Sequence, residues 1–394
     1  MPHPWCGAFV AATSKRHLDR RFSTRVVIFA SLLAPILACG DGSGPGVGPR
    51  FGRVWAGGPY TCGVSTAGVA YCWGSNVTGE LGDGTTDRRL VATPVAGALR
   101  FLDVSTTGAQ VAHHTCGVTT GNTAYCWGSN FLGSLGDGTT DTRLTPTPVA
   151  GGLRFAQVSV GFTHSCGVTT TNAAYCWGST SSADTAFTPE PVSGTLNFVQ
   201  VSAGDGFTCA VTTDGTVYCW GYNGDGEFGD GTTDSRATPT RVTGNLAFVQ
   251  VASGNRHTCG VTADHRAYCW GLNHTGQLGD GTTDQRLTPT AVAGGLPFVQ
   301  VSTAFTHSCG VTADGAAYCW GANHAGQLGD GTTGLRIIPV QVTGGLHFVQ
   351  VSAGYLHSCG VTSGGAAYCW GFNGDGVLGD GTTTQRLTPT RVSR

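Results

Sequence analysis

The chain has 394 residues, with 64 glycines, 16 prolines and 16 cysteines, and a formal net charge of −2 at pH 7. Only 11% of its residues are charged, against about 25% in an ordinary globular chain, and its one lysine is Lys15. This composition excludes nucleic-acid binding by phosphate neutralisation and lysine-based covalent chemistry beyond the first residues. The glycine and proline load, with no long run of 3.6 periodicity, excludes a helical repeat.

At the N-terminus, Arg16, Arg20, Arg21 and Arg25 precede the apolar run Val26–Leu37. Such a run suits the core of a signal peptide and is too short to span a bilayer comfortably. Residues 1–38 are therefore expected to direct export. The run ends in ILACGDGSGPG, which resembles a bacterial lipoprotein signal with Cys39 as the acylated residue; ordinary cleavage near Ala38 is the alternative. Residues 39–50 read as a flexible Gly/Pro-rich linker. Without residues 1–38 the chain carries 16 basic and 22 acidic side chains, a balance of −6. The expected location is the cell envelope, or outside the cell if no lipid is attached.

From residue 51 onward the chain repeats itself. YCWG recurs at Tyr71, Tyr125, Tyr175, Tyr218, Tyr268, Tyr318 and Tyr368. The copies span about 51–100, 101–154, 155–197, 198–247, 248–297, 298–347 and 348–394, and leave nothing over for a second domain. Each runs through FVQVSAG, HSCGVT, a short turn, AYCWG, a Gly-rich loop and RLTPTxV. Repeats of this period with several short alternating runs and a tryptophan signature are propeller blades. In the sixth copy the pattern predicts strands at Phe298–Ser302, His307–Thr312, Ala316–Gly321 and roughly Ile338–Val342. The fold class that follows is all-β: a seven-bladed β-propeller of four-stranded antiparallel blades, expected to be monomeric.

Fourteen cysteines fall in pairs ten residues apart: Cys62 with Cys72, Cys116 with Cys126, Cys166 with Cys176, Cys209 with Cys219, Cys259 with Cys269, Cys309 with Cys319, and Cys359 with Cys369. A zinc site favours close pairs such as C-x-x-C, whereas here one cysteine sits in each strand of a hairpin. Pairing Cys309 with Cys319 leaves the three-residue loop Ala313-Asp314-Gly315. The third position of such a loop needs a left-handed backbone. It holds Gly68, Asn122, Asn172, Gly215, His265, Gly315 and Gly365, and six of these are residues that tolerate positive φ. The register thus predicts seven cross-strand disulfides, which belong in an oxidising compartment.

The shared template, VSAGxxHSCGVTxxGxAYCWGxNxxGQLGDG, resembles the repeat of the regulator of chromosome condensation family. The likeness rests on the A-G-x-x-H start, the W-G-x-N turn and the G-Q-L-G loop. It implies a seven-bladed propeller and little about activity, since such repeats serve a nuclear nucleotide-exchange factor, a secreted enzyme-inhibitor protein and many binding modules. The paired cysteines depart from the nuclear members and suit an exported version.

The residues that invite a chemical reading are repeated ones. His114, His164, His257, His307 and His357 share one position with Tyr60 and Phe207, which a metal ring would not accept; structural hydrogen bonding is expected. Asp83, Asp137, Asp230, Asp280, Asp330 and Asp380 lie in GDGTT, where aspartate caps a turn more often than it ligates calcium. The richest oxygen cluster, Asn223, Asp225, Glu227 and Asp230, has Phe228 where a calcium loop needs glycine. No catalytic residue, metal site or cofactor is assigned. H-E-x-x-H, G-x-S-x-G and the phosphate loop are absent, although a hydrolase or lyase site at the channel mouth stays open as an alternative.

Function on a repeat scaffold is sought where the copies differ. The second copy gains four residues in Ser105–Gly117, between its first and second strands. The third loses seven in Trp177–Pro189, between its third and fourth. Both connections emerge at the same end of a blade, so a protruding loop stands beside a trimmed one on a single face. The candidate binding residues there are Gln110, His113, Ser181, Ser182, Asp184 and Phe187. The expected function is an exported, lipid-anchored, non-enzymatic scaffold that presents this face to an extracytoplasmic protein or glycan. It would touch the membrane only through its lipid. Nucleotide exchange on a small GTPase is the family analogy that export makes least tenable.

Overall fold

The three-residue hairpin sets the register of every blade. In the sixth, Gly315 lies at φ 85°, its amide donates to the Thr312 carbonyl at 2.9 Å, and the Thr312 amide donates to Ala316 at 2.9 Å. Asn122, Asn172 and His265 adopt the same left-handed conformation at φ 62°, 66° and 65°, so the histidine follows its neighbours despite its side chain. Register then runs Val311↔Ala317, Gly310↔Tyr318, Cys309↔Cys319, Ser308↔Trp320 and His307↔Gly321.

All seven predicted disulfides close, each within one hairpin. Cys62 bonds Cys72, Cys116 bonds Cys126, Cys166 bonds Cys176 and Cys209 bonds Cys219. Cys259 bonds Cys269, Cys309 bonds Cys319 and Cys359 bonds Cys369. The paired Cα atoms lie 4.0–4.1 Å apart throughout, because each cysteine stands directly opposite its partner in the ladder.

The structure, a computed structural model, describes residues 49–108, 113–179 and 185–394. Within them the chain is all-β: seven four-stranded antiparallel sheets, each with its strands in chain order. Blade 6 consists of Phe298–Thr303, His307–Thr312, Ala317–Gly321 and Arg336–Gln341. Its fourth strand starts two residues before the predicted Ile338, because Arg336 already pairs with Gly321 and its side chain is tied to Asp330. The ring closes by packing whole blades, with no strand exchanged: blade 7 meets blade 1 through His357 to Thr61 at 2.8 Å and Trp73 to the Val377 carbonyl at 2.8 Å.

The core lies between blades. Cysteines occupy one face of each sheet; a phenylalanine and a tryptophan occupy the other. Between blades 5 and 6, Cys259, Cys269 and Leu278 pack against Phe298 and Trp320, whose rings lie 5.7 Å apart. Burying about 200 Å² of a tryptophan contributes on the order of 5 kcal/mol, and six of the blade tryptophans are fully buried. Gly310 is required opposite these rings: a methyl group there would come within 2.6 Å of Phe298.

Candidate functional site: the channel and its irregular mouth

The first strand of each blade lines a central channel, and its third residue reaches sideways to the next blade. Gln300 shows the arrangement. Its Nε2 donates to the Val351 carbonyl at 2.9 Å, and its Oε1 accepts from the Val351 amide at 3.0 Å. An amide side chain has the donor and acceptor of a peptide group, so it splices two inner strands that do not pair directly. Gln157, Gln200, Gln250 and Gln350 do the same for Val201, Val251, Val301 and Val54. Two residues on, a serine hydroxyl accepts the next blade's amide, as Ser302 does from Ala353 at 3.0 Å.

Blades 1 and 2 break this pattern. Arg53 and Asp103 stand where the glutamines should be, and Trp55 replaces the serine, as Ala252 also does in blade 5. Arg53 Nη1 lies 3.3 Å from Asp103 Oδ2. The arginine is 60% exposed, so the pair holds little energy. Asp103 Oδ1 is buried with no hydrogen-bond partner. Burial pushes the Asp103 carboxyl up to about 7, against the opposing pull of Arg53 and the Val104 amide. The wall continues from Asp103 through Thr106 to Thr107 and Gly108, so the inserted loop of blade 2 springs from the channel mouth itself.

The repeated polar residues are structural. His257 and His307 bond Ser308 and Ser358 of the following blade at 2.8 Å. Burial pushes both imidazoles down to about 3, the latter also opposed by His357, His257 and His324; they are neutral. In the GDGTT turn, Asp330 Oδ1 accepts from the Thr332 amide and hydroxyl and from Asn323, and Oδ2 binds Arg336 at 2.9 Å. The same ion pair recurs between Asp83 and Arg89, Asp137 and Arg143, Asp230 and Arg236, Asp280 and Arg286, and Asp380 and Arg386. The oxygen cluster of blade 4 does not converge: Asp225 binds Arg256 at 2.9 Å, while Glu227 turns inward to accept from the Asp225 amide. Among the described residues no three metal-ligating side chains gather.

Of the candidate binding residues, Gln110, Ser181, Ser182 and Asp184 lie outside the described residues. His113 is buried at the seam between blades 1 and 2, 6.1 Å from the Tyr60 ring. Its carbonyl accepts from the Ser129 amide and the Thr78 hydroxyl. Phe187 is partly exposed but lies over Gly133, where an added methyl would come within 2.6 Å of its ring. Leu144 lies over Gly79 in the same way, so Phe187 is the blade-3 form of a seam contact. Its neighbours on the loops of this face are more exposed: Val77 at 77% and Phe131 at 60%. Phe305 and Tyr355 stack edge-to-face at 4.9 Å on the same rim. At the opposite end, Leu102, Val199, Val249, Val299 and Val349, each second in its inner strand, are half exposed.

Sequence reasoning passed over the glutamine splice, its break at Arg53 and Asp103, and the arginine six residues after each capping aspartate. All three carry a signal: a fixed position occupied in most copies and changed in few.

Residues 179–394, more than half of the chain, match the RCC1-like domain, and residues 122–168, with 109–134 and 155–182, match the regulator of chromosome condensation (RCC1) repeat. Curated relatives are similar over short stretches. The Arabidopsis thaliana ultraviolet-B receptor UVR8 is 32% identical over 29% of this chain and 26% of its own length; the Danio rerio RCC2 homolog is 37% identical over 22% and 17%. The chain thus spans about a quarter or less of these relatives. Among solved structures, Saccharomyces cerevisiae Prp20p superposes with a TM-score of 0.74 at 21% identity, over 84% of this chain and 87% of that one. Human WBSCR16 does so with a TM-score of 0.74 at 21% identity, over 83% and 94%. With the repeats, the blades and this match in agreement, the chain belongs to the RCC1-like domain family.

Proposed function

We propose that this chain is an exported, lipid-anchored binding scaffold that presents the mouth of its channel at blades 1 to 3 to a protein partner in the cell envelope. One observation carries the reading: the two lost glutamines and the root of the inserted loop lie together. Trp55 and Asp103 alter the channel wall in blades 1 and 2, with Arg53 beside Asp103 in solvent; the inserted loop leaves that wall at Thr107, and Val77 and Phe131 expose apolar surface on the adjoining loops. Seven near-identical blades present near-identical surfaces, so a specific partner needs the sector that differs. Exposed aromatic and aliphatic side chains favour a protein over a glycan. The structural relative Prp20p is described by its binding to Gsp1p and histones, a precedent for protein recognition on this scaffold. Export is supported by seven disulfides, which persist in oxidising compartments, and lipidation by Cys39 following an apolar leader.

The test is capture from envelope extracts by the mature chain, followed by hydrogen-exchange mapping of the captured complex. Protection concentrated in blades 1 to 3 at the end carrying Phe131 supports the reading. Protection spread evenly around the ring, or turnover of a small molecule with no protein captured, contradicts it.

A further inference from the structure

The channel encloses a cavity of about 240 Å³, room for on the order of eight waters. Its described lining includes two carboxylates, Asp103 and Asp205, and contains no lysine, arginine or histidine. Three aromatic side chains, Trp55, Phe162 and Phe305, share the wall with them. Two more polar atoms of the lining, Ser253 Oγ and Thr303 Oγ1, are buried without a hydrogen-bond partner, as is Asp103 Oδ1.

The nearby cations are committed elsewhere or stand outside. Arg53 reaches Asp103 Oδ2 but is mostly in solvent and is not part of the lining. Arg256 is held by Asp225 at 2.9 Å and by the Tyr222 hydroxyl at 3.1 Å. Asp205 accepts from Asn255 at 2.7 Å, and the charge of Arg256 also favours its carboxylate.

We propose that this cavity takes an organic cation, a guanidinium or primary ammonium group on an aliphatic stem, with Asp103 as its counter-charge. Both groups carry only donors, which suits Asp103 Oδ2, whose ion-pair partner Arg53 stands mostly in solvent. An anion would face two carboxylates, and a neutral polyol would leave Asp103 with only the mostly exposed Arg53 as counter-charge, a weak partner in solvent. Trp55, Phe162 and Phe305 supply apolar surface for the stem and π-faces for the charge. The repeat gives a second argument. Glutamine at position 103 would add two cross-seam hydrogen bonds, as it does in five other blades; blade 2 holds a poorly compensated carboxylate instead. The cation has two sources, a free small molecule or the arginine or lysine side chain of a protein partner. The inference does not depend on which partner the face binds.

The experiment is calorimetric titration of the purified full chain with n-butylguanidinium and n-butylammonium, with n-butanol and butyrate as controls. Both cations should bind and neither control should. Asp103→Asn, nearly isosteric, and Asp103→Gln, which copies the other blades, should each weaken cation binding about tenfold or more, with melting temperatures unchanged or higher; Asp205→Asn should weaken it less. A Gly-Ser peptide carrying one arginine separates the sources: affinity like that of n-butylguanidinium assigns the site to a partner's side chain, and exclusion of the peptide assigns it to a free cation. No cation binding at millimolar concentration, equal binding of n-butanol, or full affinity in folded Asp103→Asn overturns the proposal.

Discussion

The indole nitrogen of Trp320 donates to the Gln277 carbonyl, one blade back, at 2.9 Å, and the Ser308 hydroxyl donates to the same oxygen at 2.9 Å. A loop that makes no strand pairing with its neighbour is thereby fastened to it at each seam. Trp73, Trp127, Trp177, Trp270 and Trp370 repeat the contact. Trp220 does not, among the described residues, because the blade before it carries the shortened loop. Trp320→Phe should therefore destabilise more than Trp220→Phe, by about 1 kcal/mol, the worth of one buried hydrogen bond. Urea denaturation of the two variants side by side measures the difference; equal costs would mean that ring packing alone holds the seam.

Asp330→Ala should cost about 2 kcal/mol, more than a simple turn cap, because a charge-assisted bond to Arg336 is lost together with those to Thr332 and Asn323. Burial alone would raise this carboxyl, but Thr332, Arg336 and Asn323 outweigh it and hold it below the usual carboxylate range. A depressed acid stabilises above its unfolded value and loses that contribution as pH falls through its folded one. The gap between wild type and variant should accordingly close below about pH 4. Thermal melts across acid pH read this directly, and a gap independent of pH would remove the ion pair from the account.

Glu227 makes the opposite prediction. It is fully buried, its Oε1 has no partner, and burial pushes it up to about 7. Blades 5 and 6 have Gln277 and Gln327 at this position. A raised acid stabilises most at low pH, and that contribution is lost as pH rises through the folded value. Wild type should weaken between about pH 5 and pH 8. Glu227→Gln should reduce that slope, leaving the share of Asp103, and stabilise at pH 8 by on the order of 2 kcal/mol. A variant less stable than wild type at pH 8 would contradict the assignment.

The fold was legible because its determinants are local and recur seven times. The ten-residue cysteine spacing and the left-handed third turn position together set register, and the structure reproduces the opposition of Trp320 to Ser308. The seams were less legible. A glutamine in FVQV reads as an ordinary strand residue until the neighbouring blade brings a backbone amide to it, and such contacts join residues about fifty positions apart. His113 and Phe187 illustrate the limit at the candidate site. Loop length placed them on the irregular face, but packing against Tyr60 and Gly133 decides that they belong to seams.

The measurement that bears most directly on the binding reading is a loop exchange. Residues 106–113 are replaced by the four residues Thr303–Thr306, which join the same two strands in blade 6; the control is Val249→Ser with Val299→Ser at the opposite mouth. Both variants should keep their melting temperatures within a few degrees. Partner capture should fall about tenfold or more in the loop exchange, on the order of 1.4 kcal/mol, and stay unchanged in the control. Binding that survives the loop exchange and is lost with the valines would contradict the account and move the site to the other face.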